Sequence, residues 1–453
     1  MPHFSIKDLM KIGQPIGLQA NFKATGVSTD SRTIQSGDLF FALQGPHFDG
    51  HAYVDTAISK GASACVVSQT WWQQSGSPET KPFVVVDNTL HALQQLATNH
   101  RSTYRGPVVA ITGTNGKTSC KEMTAAVMST TYKTLATTGN LNNEIGVPLT
   151  LLRIEDDTEM VILEMGADKK GDIAALCQIA KPDSGLITNI GNAHLQSFGD
   201  VETIAATKSE LFEALKDDGV RFVNVDDPRL APHASMTKGL VTFSMERDAD
   251  YRGAVESVNA SACVKLRVTS IHHESFTAQL SIPGIHQAKN ALMAGTLGFS
   301  MGVSEERIAT ALETFSTTNN RMSVRRVNDI IVIDDSYNAN PESMKAALET
   351  LMAMTLPGRR IAVLSDMLEL GDDSEKLHTA VGEYIRRKSP HAVFLTGVES
   401  KHMFEAARTV KNIFYYPVRE ELIHALKSFL RPDDVVLVKG SRGMRMENVI
   451  EAL

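Results

Sequence analysis

Only four cysteines occur in 453 residues (Cys65, Cys120, Cys177 and Cys263), far apart and without CxxC or Cys/His spacing. That spacing excludes a disulfide scaffold and a zinc ribbon and leaves reduced, buried thiols as the expectation. No apolar run approaches the roughly 20 residues of a membrane helix, so no membrane insertion is expected. The opening MPHFSIKDLMKIGQP has no basic stretch followed by an apolar core, the pattern of a secretory signal, which points to a cytoplasmic protein. Basic excess is missing too: a net charge of −7 argues against nonspecific nucleic-acid binding. There is no internal repeat, no low-complexity tract and no Ser/His/Asp or Cys/His set for covalent catalysis. What is present is ordinary globular material, 42% hydrophobic and 21% charged. At about 150 residues per domain, this length suggests three domains.

The apolar runs divide the chain accordingly, into 1–82, 83–318 and 319–453. The first part mixes short strands (39–43 and 64–67) with a helix at 53–60 and ends in the breaker-rich QQSGSPETKP. The second alternates short apolar strands at 107–112, 160–164, 185–189 and 221–225 with helical segments. Such alternation predicts a parallel sheet covered on both faces. Residues 241–282 alternate apolar and polar, predicting an antiparallel edge on that sheet, and 285–299 reads as a helix. The third part has strands at 330–334, 361–364, 392–395 and 435–439, a smaller Rossmann-like unit. The fold class is therefore α/β in three domains, with a central parallel sheet that carries an antiparallel edge.

The strongest local signal is Thr112-Gly113-Thr114-Asn115-Gly116-Lys117-Thr118, between a predicted strand and a predicted helix. Glycines let the chain turn so that its N–H groups face a phosphate, and the helix start adds positive charge. Lys117 would reach the β- and γ-phosphates of ATP and the Thr118 hydroxyl would sit on Mg²⁺. The general spacing asks for a further glycine at the position of Ile111, so this loop is a shorter variant. Glu164 ends the strand VILE at the sheet edge where α/β proteins bind ligands, which makes it a second metal-ligand candidate. His194 lies in the loop after the next strand. Lys208 follows on a helix, either paired with Glu210 or Glu213 or carrying a carbamate. Asp335 lies in the polar run 334–340, where a strand-end carboxylate can hold a ribose. Arg321, at the junction of the second and third units, can grip phosphate when domains close.

In order and spacing these segments resemble the Mur ligase family over nearly the whole chain. TGTNGKT is similar to its ATP loop, and NLNNEIGVPLTLL (140–152), EMGAD, GNAHL and KSELF follow in the family's order. The resemblance implies a carbamylated Lys208, a place for His194 near metal or substrate, and adenine contact by Asn290 in PGIHQAKNALMA. That helix has Gln287 where the family has asparagine. STDSR (28–32) resembles the family's uridine-nucleotide domain and implies substrate contacts at Ser31 and Arg32. Others are implied at Asn142, Asn143, Asn338 and Asn340.

DDSYNANPESMKAAL, SDMLELG and LVKGSRGMRME point within the family to the branch that adds a dipeptide. The resemblance thus implies an ATP- and Mg²⁺-dependent amide ligase acting through an acyl phosphate. UDP-N-acetylmuramoyl-tripeptide and D-alanyl-D-alanine would be its substrates, and the enzyme a monomer. A folate-directed ligase of the same superfamily shares the loop. A phosphate-loop motor does not need the first domain or the 334–340 cluster.

Overall fold

The computed structural model describes residues 2–46, 48–76, 81–192, 195–235, 239–317 and 320–453. Its centre is a nine-stranded sheet in the order Thr134–Ala136, Met160–Glu164, Val108–Thr112, Ser184–Ile187, Val220–Asn224, Leu240–Ser244, Tyr251–Val258, Cys263–Ser270 and Ser275–Pro283. The first seven run parallel and the last three form antiparallel neighbours. Every residue of Val108–Thr112, Met160–Glu164 and Ser184–Ile187 is buried, because helices cover both faces. In the antiparallel part Val264, Leu266, Val268, Ala278 and Leu280 turn inward. They share one apolar cluster with the almost wholly buried helix Ile285–Ser300.

Residues 241–282, expected as an antiparallel edge, are not all antiparallel. Leu240–Ser244 is a parallel strand beside Val220–Asn224, and antiparallel pairing starts only between Tyr251–Val258 and Cys263–Ser270. Half-buried alternation looks the same in a parallel strand near a sheet edge.

The N-terminal sheet has the order Gln14–Ile16, Phe83–Val86, Ala64–Ser68, Asp38–Phe41 and Gly26–Ser28. Phe83–Val86 pairs with strands on both sides, so the boundary expected at residue 82 falls inside this domain. The breakers before it serve a connection between two strands of one sheet. Gln73 and Gln74 of that stretch close the helix Gln69–Ser75, and 77–80 lie outside the described residues. The helix Thr89–Thr103 then carries the chain into the central domain, and its Leu93 and Leu96 share a cluster with Phe4, Leu39, Val108 and Leu163.

The C-terminal sheet places Ser323–Val327 antiparallel at the edge of five parallel strands: Ile330–Asp335, Val435–Lys439, Arg360–Ser365, Ala392–Thr396 and Ile413–Tyr416. This is the Rossmann-like unit expected. Among the described residues no helix is long and apolar enough to cross a membrane. All four cysteines are buried and free. Burial pushes the thiols of Cys65, Cys120 and Cys177 up to about 12, which makes them unreactive.

Candidate active site

Strand Val108–Thr112 ends in a loop that the next strand end holds from behind. Thr112 donates its hydroxyl to the Met165 carbonyl at 2.7 Å. The Thr114 and Asn115 N–H groups donate to Asn189, to its carbonyl at 2.9 Å and its side-chain oxygen at 3.0 Å. The Thr188 hydroxyl and the Asn189 amide both donate to the Asn115 carbonyl (2.7 and 2.9 Å). Gly113 has φ +142°, and a Cβ there would overlap the Thr188 hydroxyl. Gly116, at φ +79°, starts helix Lys117–Ser129, and a Cβ would come 2.6 Å from Asn290 Oδ1. Only glycine fits either place.

Lys117 folds back on this loop, donating to the carbonyls of Gly113 (2.8 Å) and Thr114 (3.1 Å). Desolvation lowers its pKa; Glu164 opposes the shift and Arg321 adds to it. Glu164 is 2% exposed. Its Oε1 accepts from the Asn142 amide at 2.8 Å, while Oε2 is buried with no partner among the described residues. Lys208, buried on helix Val201–Ala214, has its pKa brought down to about 7 by desolvation first and Lys117 second, against Asp168. Lys208 does not pair with Glu210, which accepts instead from the backbone of Gly171 and Ala174 (2.8 and 3.0 Å).

These groups line a cleft of about 1270 Å³ whose other wall belongs to the C-terminal domain. Arg321 stacks on the Tyr337 ring at 4.0 Å, and its Nε is buried without a partner among the described residues. Asp335 is already engaged: its Oδ2 accepts from Lys439 Nζ at 2.6 Å and its Oδ1 from the Met322 N–H at 3.2 Å. The Lys439 ammonium also donates to the Asn338 carbonyl at 2.8 Å. Asn340 joins the two walls, donating to Asn115 Oδ1 at 2.7 Å while its own oxygen caps helix Pro341–Ala353. Asn192 reaches Glu342 across the same junction (3.1 Å). Asn290 is buried and donates to Gln287 at 2.9 Å.

The structure therefore gathers Thr114 to Thr118, Asn142, Asn143, Glu164, Lys208, Asn290, Arg321, Asp335, Asn338 and Asn340 around one cleft. Asn143 spends its side chain on the turn before helix Gly146–Leu151, accepting from the Gly146 N–H at 3.0 Å. Ser31 and Arg32 do not line this cleft. The Arg32 side chain is 86% exposed and paired with Asp30 at 2.7 Å, and the Ser31 carbonyl accepts from Lys60 at 2.9 Å. His194 lies outside the described residues. Sequence reasoning assigned no role to Lys439, Tyr337 or Asn189. Lys439 carried a usable signal, a polar residue closing an apolar strand, the same that marks Glu164.

The cleft suits Mg²⁺. The buried free oxygen of Glu164 and the buried hydroxyl of Thr118 are hard donors, and Mg²⁺ takes one or two protein oxygens plus phosphate. Among the described residues no three His, Cys, Asp or Glu side chains cluster for a metal.

A glycine loop on a parallel sheet, closed by a Rossmann-like domain, defines an α/β enzyme that handles a nucleoside triphosphate between two domains. Three family models match in turn: "Mur ligase family, catalytic domain" at 23–101, "Mur ligase middle domain" at 111–298 and "Mur ligase, glutamate ligase domain" at 320–442. The chain belongs to the Mur ligase family. It is 35% identical to the UDP-N-acetylmuramoyl-tripeptide–D-alanyl-D-alanine ligase of Bacillus subtilis over 94% of this chain and 93% of that one. Its fold matches crystal structure I of MurF from Acinetobacter baumannii with a TM-score of 0.89 at 28% identity, covering 99% and 98% of the two chains. It also matches MurF ligase from Thermotoga maritima in complex with ADP, with a TM-score of 0.82 at 28% identity over 95% and 97%.

Proposed function

We propose that this chain is an ATP-dependent, ADP-forming ligase that joins D-alanyl-D-alanine to UDP-N-acetylmuramoyl-tripeptide in peptidoglycan precursor synthesis. The observation that carries the reading is the cleft itself. A phosphate loop with its lysine, a buried half-satisfied carboxylate and a desolvated second lysine face a separate domain that can bring in an amine. The N–H groups at the start of helix Lys117–Ser129 and the Lys117 ammonium hold the β- and γ-phosphates. Asn290 and Asp335 are proposed to contact adenine and ribose, the latter by exchanging part of its bond with Lys439. Thr118 and Glu164 would hold Mg²⁺, which supplies charge neutralisation during phosphoryl transfer.

The γ-phosphoryl group passes to a carboxylate oxygen of the tripeptide and ADP leaves. The dipeptide amine then attacks the acyl carbon, a proton is lost from nitrogen, and phosphate departs with the bonding pair. Lys117 and Arg321 stabilise the negative charge on the transferring group. A lysine with its pKa near 7 has a neutral fraction at ordinary pH, as carbamate formation with CO₂ requires. Lys208 is thus a candidate further metal ligand, and His194 is proposed to help position metal, carbamate or substrate. The N-terminal domain, with Ser31 and Arg32, would take the uridine nucleotide. The same reading carries a cytoplasmic, monomeric enzyme.

Phosphate release in the presence of ATP should require both UDP-N-acetylmuramoyl-tripeptide and D-alanyl-D-alanine. Turnover with a folate and glutamate, and none with the two wall precursors, would overturn the assignment.

A further inference from the structure

The incoming dipeptide carries an amine that must reach the acyl phosphate and, on its second residue, a carboxylate that needs a cation. Among the described residues, three cations of the C-terminal domain line the cleft: Arg321, Lys439 and Arg442. Lys439 is buried and committed to Asp335 and the Asn338 carbonyl. Arg321 faces the phosphate side, where its charge acts on Lys117. Arg442 is different. Its side chain is 61% exposed and its ion pair is with Glu447, at 2.9 Å. An ion pair so open to water costs little to rearrange.

Arg442 is also placed at a useful reach. Both Arg321 and Arg442 lie over Tyr337, at 4.0 and 5.8 Å from its ring centroid, so the two guanidinium carbons are separated by no more than those distances together. An extended dipeptide spans about 7 Å. The Arg442 N–H donates to Asn338 Oδ1 at 3.4 Å, which ties the turn bearing the guanidinium to the loop that carries Tyr337.

We propose that Arg442 binds the C-terminal carboxylate of the incoming dipeptide and so selects an acid-terminated amine substrate, with Tyr337 spacing it from the phosphate-side Arg321. A guanidinium fork matches a carboxylate in two parallel hydrogen bonds. This rests on the dipeptide-ligase reading of the cleft.

The experiment compares D-alanyl-D-alanine with its C-terminal carboxamide by phosphate release, using the full chain with ATP and UDP-N-acetylmuramoyl-tripeptide. The wild-type chain should favour the acid by about ten- to a hundredfold in kcat/KM, the worth of one charged hydrogen-bonded contact. Arg442→Ala should lose that preference by slowing the acid far more than the carboxamide, with the KM for ATP unchanged. Arg442→Lys should keep part of it. Equal losses on acid and carboxamide in Arg442→Ala, or no preference in the wild-type chain, overturn the proposal. A wild-type chain that does not use the dipeptide at all overturns the substrate reading, and this inference with it.

Discussion

The two sheets that meet at the cleft finish their carboxyl edges in opposite ways. At the central edge the charges are only partly met: Glu164 keeps one buried oxygen without a partner among the described residues, Lys117 has backbone carbonyls in place of a carboxylate, and desolvation holds the pKa of Lys117 and Lys208 down. At the C-terminal edge they are completed. Asp335 and Lys439 form a pair whose side chains are 13% and 3% exposed. Asp366 accepts from the N–H groups of Val398 and Ser400 and from the Ser400 hydroxyl, at 2.6 to 2.8 Å. Buried charge without a partner is costly, so the first edge is built to be finished by a ligand and the second to hold its shape before a ligand arrives.

That contrast is sharpest at Lys117. Lys117→Ala should cut turnover by about a thousandfold or more, the scale on which a cation at a transferring phosphoryl group acts. Its melting temperature without nucleotide should not fall, because the ammonium is desolvated there. Phosphate release and thermal unfolding on the same sample check this; a variant that melts early would mean that the central edge is load-sharing after all.

The next largest effect belongs to the completed edge. Lys439→Met leaves the Asp335 carboxylate without its cation, and should lower unfolding stability by about 3–5 kcal/mol in urea. Asp335→Leu with Lys439→Met should restore much of the loss. Simple addition of the two single losses would show that they are not acting as a pair.

Lys208 gives an effect that shows only as a slope with pH. Its pKa is about 7 in the folded chain against an ordinary 10.5, so between those values the unfolded chain holds the extra proton. Stability of the nucleotide-free enzyme should therefore rise with pH from about 7 towards 10.5 and carry the full cost of the charge below 7. Lys208→Met, in bicarbonate-free buffer, should flatten that rise; an unchanged slope would place its cause elsewhere.

Much of this was readable from the residues. The glycine loop, the strand-end Glu164 and the buried apolar strands all obey local rules, so their positions follow from spacing alone. The pairing of Lys439 with Asp335 does not, because it joins residues more than a hundred apart through parallel strands that sequence periodicity cannot put side by side. The stacking of Arg321 and Arg442 on Tyr337 is hidden for the same reason. The domain boundary misled for another: breakers mark a loop, and a loop within a sheet has the same composition as one between domains.

That boundary has a practical consequence for dissecting the chain. Phe83–Val86 lies second in its sheet, between Gln14–Ile16 and Ala64–Ser68. A fragment ending at residue 82 would strip Gln14–Ile16 of the strand it pairs with and leave the valine-rich Ala64–Ser68 as a raw edge, open to pairing with other chains. A separately produced first domain has to run beyond Val86. There it meets the helix Thr89–Thr103, whose apolar face is shared with the central domain, so the cut that spares the sheet uncovers the helix.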